Sequence, residues 1–283
     1  MAQRELRPTA DAVSLPSEPA ALEASYISDR GKVRPGNEDS ACAVIPDDTV
    51  LLREKGALMV VADGMGGHEG GEVASRITVD RVRAAYYTSS AAPQEALPGA
   101  VREANLAVLE HARQNPRLAG MGTTCTAVAV VGGAAWLAHV GDSRLYLVRG
   151  GAAYRMTQDH SAAMELVAQG LLTLAEADHH EQRNIIVRAV GTRERVEVTT
   201  WKDPFPLHPG DSLVLSTDGM HETIRDEEIG EIAGRAADCR DACQLLLRLA
   251  LERDGSDNIT VAVLRVPRRT KEAAPCPGSG RWV

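Results

Sequence analysis

The stretch from residue 125 to residue 151 constrains the fold of this chain most. Cys125–Val131 and Ala134–Val140 are runs of small and β-branched residues joined by the pair Gly132-Gly133. Two such runs separated by two glycines predict a hairpin, because a two-residue turn of the right twist needs positive φ. A third run, 145–148, continues the series before a second pair, Gly150-Gly151. Strands joined by tight turns favour antiparallel pairing over βαβ winding, which needs a longer crossover. Similar runs occur at 58–62, 212–216 and 259–266. Aromatic residues make up only 3% of the chain, so its core must be built from Val, Leu, Ile and Ala.

Helical patterns punctuate the strands. A helix is expected from Glu72 to about Tyr87, with Val73, Ile77 and Val82 on one side. Asp238 is placed to cap another, in which Ala242, Leu245, Leu246, Leu249 and Ala250 recur at the spacing of a buried stripe. A shorter one spans 161–169 and ends at Gly170. Sheets with helices outside them define an α+β sandwich.

With 283 residues, 44% hydrophobic and 25% charged, the chain reads as one folded domain, 23–267, between a leader (1–22) and a tail (268–283). Its net charge of -8 argues against nucleic-acid binding, though bound divalent cations can reverse the local sign. No apolar run approaches the ~20 residues of a membrane span, and the polar start lacks the centre of a signal peptide. The five cysteines, Cys42, Cys125, Cys239, Cys243 and Cys276, fit no zinc or disulfide spacing. Cys239 and Cys243 read as one side of a helix. Unpaired thiols suit a cytoplasmic location.

The chemically informative residues are aspartates at strand ends. Asp63 follows 58–62 and precedes Gly64, and Asp142 follows the run ending Val140-Gly141. Asp218 follows 213–217, and Asp257 stands before Asn258 and the last strand. Each alone reads as an ordinary turn or cap residue. Four at strand edges suggest a shared end of a sheet, where their charges need cations. An all-oxygen donor set without a Cys or His cluster favours Mg²⁺ or Mn²⁺ over Zn²⁺. Arg34, close to Glu38 and Asp39, is either a surface ion pair or a fork that grips phosphate.

Eight segments, in order, carry a resemblance to a known family: SDRGKVRPGNEDS, VADGMGGHEGGEVAS, MGTTCTAVAV, AHVGDSRLYLVRGG, MTQDHS, IIVRAVG, LVLSTDGMHE and SDNITVAVL. Over roughly residues 24–266 the chain resembles the metal-dependent protein phosphatases, also called protein phosphatase 2C, in a bacterial form. The resemblance implies a four-layer α-β-β-α sandwich around two antiparallel sheets. It implies hydrolysis of phosphoserine and phosphothreonine on proteins by a water activated between two Mn²⁺ or Mg²⁺ ions, with a third, weaker ion. It also implies a monomer opposing a serine/threonine protein kinase.

By the same resemblance Asp63 bridges both ions and Gly64 lends its carbonyl. Asp218 and Asp257 complete the first ion's ligands, Glu38 serves the second with Asp39 behind it, Asp142 and Asp218 share the third, and Arg34 binds phosphate. Met65 stands where eukaryotic members carry a histidine cast as general acid. His68 either starts the next helix or takes a catalytic part, and Glu222 falls where some members bind the third ion. A variable flap is expected at about 161–188, with His179 and His180 as exposed loop residues. Two rivals remain: a member that binds phosphoproteins without hydrolysing them, and a hydrolase of small phosphoesters. DGMGGHEGGE lacks the features of a nucleotide-binding loop.

Overall fold

The computed structural model describes residues 22–66 and 70–268. The expectations for residues 1–21 and 269–283, for Cys276 and for His68 therefore lie outside the described residues. In chain order the strands are β1 (Glu23–Asp29), β2 (Ser40–Val44), β3 (Ala57–Ala62), β4 (Gly64–Met65), β5 (Gly122–Thr123), β6 (Cys125–Val131), β7 (Ala134–Val140), β8 (Arg144–Arg149), β9 (Ala152–Arg155), β10 (Thr199–Thr200), β11 (Phe205–Pro206), β12 (Ser212–Ser216) and β13 (Ile259–Arg265). The α-helices are α1 (Thr49–Lys55), α2 (Gly70–Thr88), α3 (Pro93–Gln114), α4 (Ala162–Ala168), α5 (Leu174–Ala177), α6 (Asp218–His221), α7 (Asp226–Arg235) and α8 (Cys239–Arg253).

Two antiparallel sheets form the centre. One runs β1-β13-β12-β8-β9; the other runs β10-β7-β6-β3-β2, with β11 also on β7. Side chains alternate across each strand, and this sorts the core into three layers. Leu58, Val60 and Ala62 of β3 face α2 and α3 with Val82, Tyr86, Leu97 and Val101. Met59 and Val61 face the opposite sheet, where Leu145, Leu147, Leu213, Leu215 and Leu264 meet them. On the far side Val214, Val261 and Val263 pack under α7 and α8. Helices, sheet, sheet, helices: this is the four-layer α+β sandwich expected from the sequence.

Gly132 and Gly133 both have positive φ (58° and 82°), and β6 pairs with β7 over seven residues. The expected hairpin is present. The third run behaves differently. β8 does not join β7 but crosses to the other sheet, between β12 and β9. Asp238 caps α8 by accepting from the Asp241 N–H. The buried stripe of α8 is Ala242, Cys243, Leu246, Leu247 and Ala250, with Leu245 and Leu249 half-buried, so it sits one position around from the expected one. In α2, Ala74, Thr78, Val79 and Val82 form the buried face, while Val73 and Ile77 flank it. Helix α3 was not anticipated at all.

The registers fix where the ends of the strands meet. Asp29 pairs with Ile259, Ser216 with Val261, and Ser216 also with Arg144. So the end of β1, the start of β13, the end of β12 and the start of β8 share one rim. In the other sheet Ser40 pairs with Ala62 and Cys125 with Val140, bringing the start of β2, the end of β3, the start of β6 and the end of β7 to one rim. Residues 30–39 and 141–143 cross between these rims, so both lie at the same end of the sandwich.

Candidate metal and phosphate site

Each expected acidic residue leaves a strand at that end. Asp63 follows β3, and its backbone is held independently of its side chain. Its N–H donates to Thr124 Oγ1 (2.8 Å), and its carbonyl accepts from Thr123 Oγ1 (2.8 Å) and Thr124 N (2.9 Å). Asp218 opens α6 two residues after β12, and Asp257 precedes β13. Asp142 lies in the crossing between β7 and β8. Gly141 there has φ of 106°, and a side chain on it would press into Thr124.

Like charges gathered in a poorly solvated place resist ionisation. Burial first, then Asp39, Asp218, Asp142 and Asp257, hold the Asp63 carboxyl well above the usual range. Burial and the charges of Asp218 and Asp159 push Asp142 up to about 8. Burial, then Asp257 and Glu222, raise Asp218 to about 6. Asp63 and Asp218 lie close enough for each to shift the other.

Asp39, also buried, is raised to about 7 by burial although Thr217 Oγ1 donates to its Oδ2 (2.9 Å). Its Oδ1 is buried and has no partner. Gly64 N–H donates to the Glu38 carbonyl (3.1 Å), and a Cβ on Gly64 would stand 2.2 Å from the Gly71 carbonyl oxygen. A Cβ on Gly71 would come within 2.9 Å of the Glu38 carboxyl carbon, so the Glu38 carboxyl lies against the start of α2.

Arg34 sits at the mouth of this acidic end. Its Nη2 donates to Asp257 Oδ2 at 2.6 Å, with side-chain exposures of 50% and 35%. That bond leads the influences that raise its pKa, and Glu38 and Asp218 add to them. Arg34 thus pairs with a distant strand-end aspartate rather than with its sequence neighbours.

The donors are hard oxygens with one orphaned carboxylate oxygen among them, and this chemistry fits a hard divalent cation. Among the described residues no three His, Cys, Asp or Glu side chains converge on one point. Asp257 is instead paired with Arg34, and Asp39 accepts from Thr217.

A second buried charge cluster braces the site from behind. Arg144, directly after the Asp142 turn, donates to Asp159 through Nε (3.2 Å) and Nη2 (2.8 Å), and Arg155 also pairs with Asp159. Burial opposes the charge on Asp159, but the two arginines hold it well below the usual carboxylate range. Asp159→Ala would leave the mostly buried Arg144 guanidinium without its carboxylate and is expected to cost about 3–5 kcal/mol of stability, read from urea unfolding.

The sequence marks MTQDHS only as one of the resembling segments, with no signal that Asp159 pairs with Arg144 and Arg155. Nor did it single out His160, whose Nδ1 accepts from Gly141 N (3.0 Å) and whose Nε2 contacts Thr199 Oγ1 (2.9 Å). Residues 161–188 hold α4 and α5 around a small separate core of Ala163, Met164 and Ala177. Glu222, left open above, faces Arg183 of that segment at 3.5 Å. His179 is exposed and His180 half-buried. Met65 pairs with Gly122 in the short β4–β5 ladder.

The comparisons with known proteins agree with this fold. Residues 43–253 match the model of a family described as protein phosphatase 2C. The serine/threonine protein phosphatase PstP of Mycobacterium tuberculosis is 37% identical over 241 residues, 84% of this chain but 44% of the length of PstP. The protein phosphatase PhpP of Streptococcus pneumoniae is 32% identical over 89% of this chain and 100% of its own. The crystal structure of Mycobacterium tuberculosis PstP superposes with a TM-score of 0.77 at 36% identity, covering 87% of this chain and 99% of that one. A structure of the PstP catalytic domain in complex with two manganese ions gives a TM-score of 0.74 at 35% identity, over 87% and 98%. The fold is that of the protein phosphatase 2C type. The chain belongs to the protein phosphatase 2C family.

Proposed function

We propose that this chain is a metal-dependent serine/threonine protein phosphatase, with residues 23–267 as the phosphatase unit and 161–188 as a flap beside the site. One observation carries the reading. Asp63, at the end of β3, feels the charges of Asp39, Asp142, Asp218 and Asp257, which reach the same end of the sandwich from both sheets, with the Arg34 guanidinium bonded to Asp257. In this reading Asp63, Gly64, Asp218 and Asp257 hold one divalent cation, Mn²⁺ or Mg²⁺, and Asp63 and Glu38 hold a second. Asp142 and Asp218 serve a third. Bound there, such cations offset phosphoryl charge and bring the pKa of water into the neutral range.

The protein's own groups do the rest. Arg34, exposed at the rim, can leave Asp257 for the oxygens of an incoming phosphate, because its planar fork matches them. Asp39 Oδ1, turned into the buried end without a partner, accepts a hydrogen bond from a nucleophile placed there. The thiols take no part. All four described cysteines are buried, and burial pushes Cys125 up to about 12 and Cys42 to about 11. Cys125→Ser is accordingly expected to retain most of the activity. A covalent route in which a thiolate takes the phosphoryl group and releases the alcohol would make that variant inert.

The substrate is a phosphorylated protein supplied by a serine/threonine kinase, and the enzyme acts as a single cytoplasmic chain. Among the described residues no helix is long and apolar enough to cross a membrane. The test measures phosphate released from a phosphothreonine peptide with Mn²⁺, with Mg²⁺ and with chelator. Release with either ion and loss with chelator are expected. Release that survives complete removal of divalent cations would sink the reading, and binding without release would favour a non-catalytic role.

A further inference from the structure

The loop bearing Arg34 and Glu38 has no secondary structure of its own, and its outer residues from Lys32 to Gly36 are exposed. Local bonds hold its two ends, Gly31 N–H to Asp29 and Asn37 to Ser28 and Asp39. The stretch between them is tied to the far end of the chain. Asn258, only 6% exposed, accepts from Glu38 N through Oδ1 (2.8 Å). Its Nδ2 donates to the carbonyls of Arg30 (2.9 Å) and Gly36 (2.9 Å). Every hydrogen-bonding site this needs is one that an asparagine amide offers.

The contacts around it serve the same junction. Lys32 N–H donates to Gly255 O (2.7 Å). Gly31, at φ of 75°, lies so close that a Cβ would stand 2.1 Å from the Asp257 carbonyl oxygen. Gly219, beside Asp218, is pressed in the same way against the Asn258 carbonyl, again at 2.1 Å.

We infer that Asn258 is a positioning residue: its side-chain amide closes residues 30–38 into a fixed loop and so sets Arg34 to meet the phosphate. The inference rests on the phosphatase reading above and adds to it a residue that touches neither substrate nor cation. Arg34 is half-exposed with a long, flexible side chain, so the placement of its backbone limits how well it can be aimed. Misplacing a group by about 1 Å can cost about 10²-fold in rate. The bland alternative is that Asn258 is simply a satisfied buried amide that contributes to stability.

Asn258→Asp tests this with little change of shape. It keeps the acceptor for Glu38 N–H but turns a second acceptor onto the carbonyls of Arg30 and Gly36. Asn258→Ala removes all three bonds without adding charge and guards against an effect of the extra carboxylate. Both are compared with Arg34→Ala and with the double variants, on the full-length protein in saturating Mn²⁺ with a phosphothreonine peptide. A positioning role predicts that each single variant loses about 10–100-fold in kcat/KM, through a raised KM as well as a lowered kcat. It predicts further that the doubles lose much less than the product of the singles, because Asn258 acts through Arg34.

A second readout needs no catalysis. Limited trypsin treatment should cut after Arg30 and Lys32 several-fold faster in the Asn258 variants than in wild type, since the backbone there is then released. Effects that multiply in the doubles, or a loop cut no faster than in wild type, overturn the inference. A wild-type protein without phosphate release would strike the functional reading instead, and the trypsin comparison would then decide the clamp.

Discussion

Asp63→Asn is expected to lower phosphate release by at least about 10³-fold while raising the thermal midpoint of the cation-stripped protein. Both halves follow from the same geometry. The Asp63 backbone is tied by Thr123 and Thr124, so an amide of nearly equal size leaves the strand end in place. What changes is the charge. Asp63 feels Asp39, Asp218, Asp142 and Asp257, and without cations that repulsion weighs on the fold. An uncharged amide removes it. The activity that the site draws from cations held at Asp63 is lost with the same carboxylate. Kinetics on a phosphothreonine peptide and calorimetry in chelator measure the two effects. Undiminished turnover would remove Asp63 from the centre of the site.

The second large effect is one of pH. Asp39, at about 7, and Asp142, at about 8, stand far above the ordinary 3.8 of an unfolded aspartate, and Asp63 is also raised well above it. A folded-state pKa above the unfolded one means that the folded protein holds protons the unfolded chain has already released. That contribution is complete below the unfolded pKa and fades as pH rises through the folded one. Between pH 6.5 and 8.5 the cation-stripped protein should therefore lose stability, at about 1.4 kcal/mol per pH unit for each proton retained.

The buried imidazoles do not obscure this window. His139 and His160, lowered by burial to about 3 and about 4, and His221, well below its usual value, are neutral throughout it. Saturating Mn²⁺ displaces those protons, so the gain in midpoint on adding it should grow with pH by several degrees. A gain that shrinks from pH 6.5 to 8.5 would contradict the assigned carboxylates.

Much of the fold was legible because it is written locally. Gly132-Gly133 marks a turn whose φ values only glycine adopts easily, and Asp238 and Ser161 cap the helices they precede. The acidic strand ends were legible for the same reason, each being an aspartate beside a glycine or a polar turn residue. Three things were not. Helix α3 carries Pro98 inside it followed by Gly99, both of which signal a break rather than a helix of 22 residues. The pyrrolidine is tolerated because burial of Leu97, Val101 and Ala104 outweighs one lost backbone bond.

The departure of β8 from its neighbour could not be read from 145–148, since a strand's composition does not say which sheet it joins. The clamp by Asn258 was equally invisible. It joins residues 222 positions apart in sequence, and an asparagine after an aspartate looks like any turn.

The placement of Asp63 and Asp218 at one end of the sandwich has a mechanical meaning as well. One carboxylate follows a strand of the β3 sheet, and the other follows β12 in the facing sheet. Between them the layers meet mainly through apolar side chains, with polar ties such as Thr217 on Asp39. An ion gripped from both sides works as a rivet through two plates, resisting shear where methyl groups cannot. In the proposed reading the metal would thereby also be a fastener of the sandwich, and its escape would loosen the joint between the plates before harming either one.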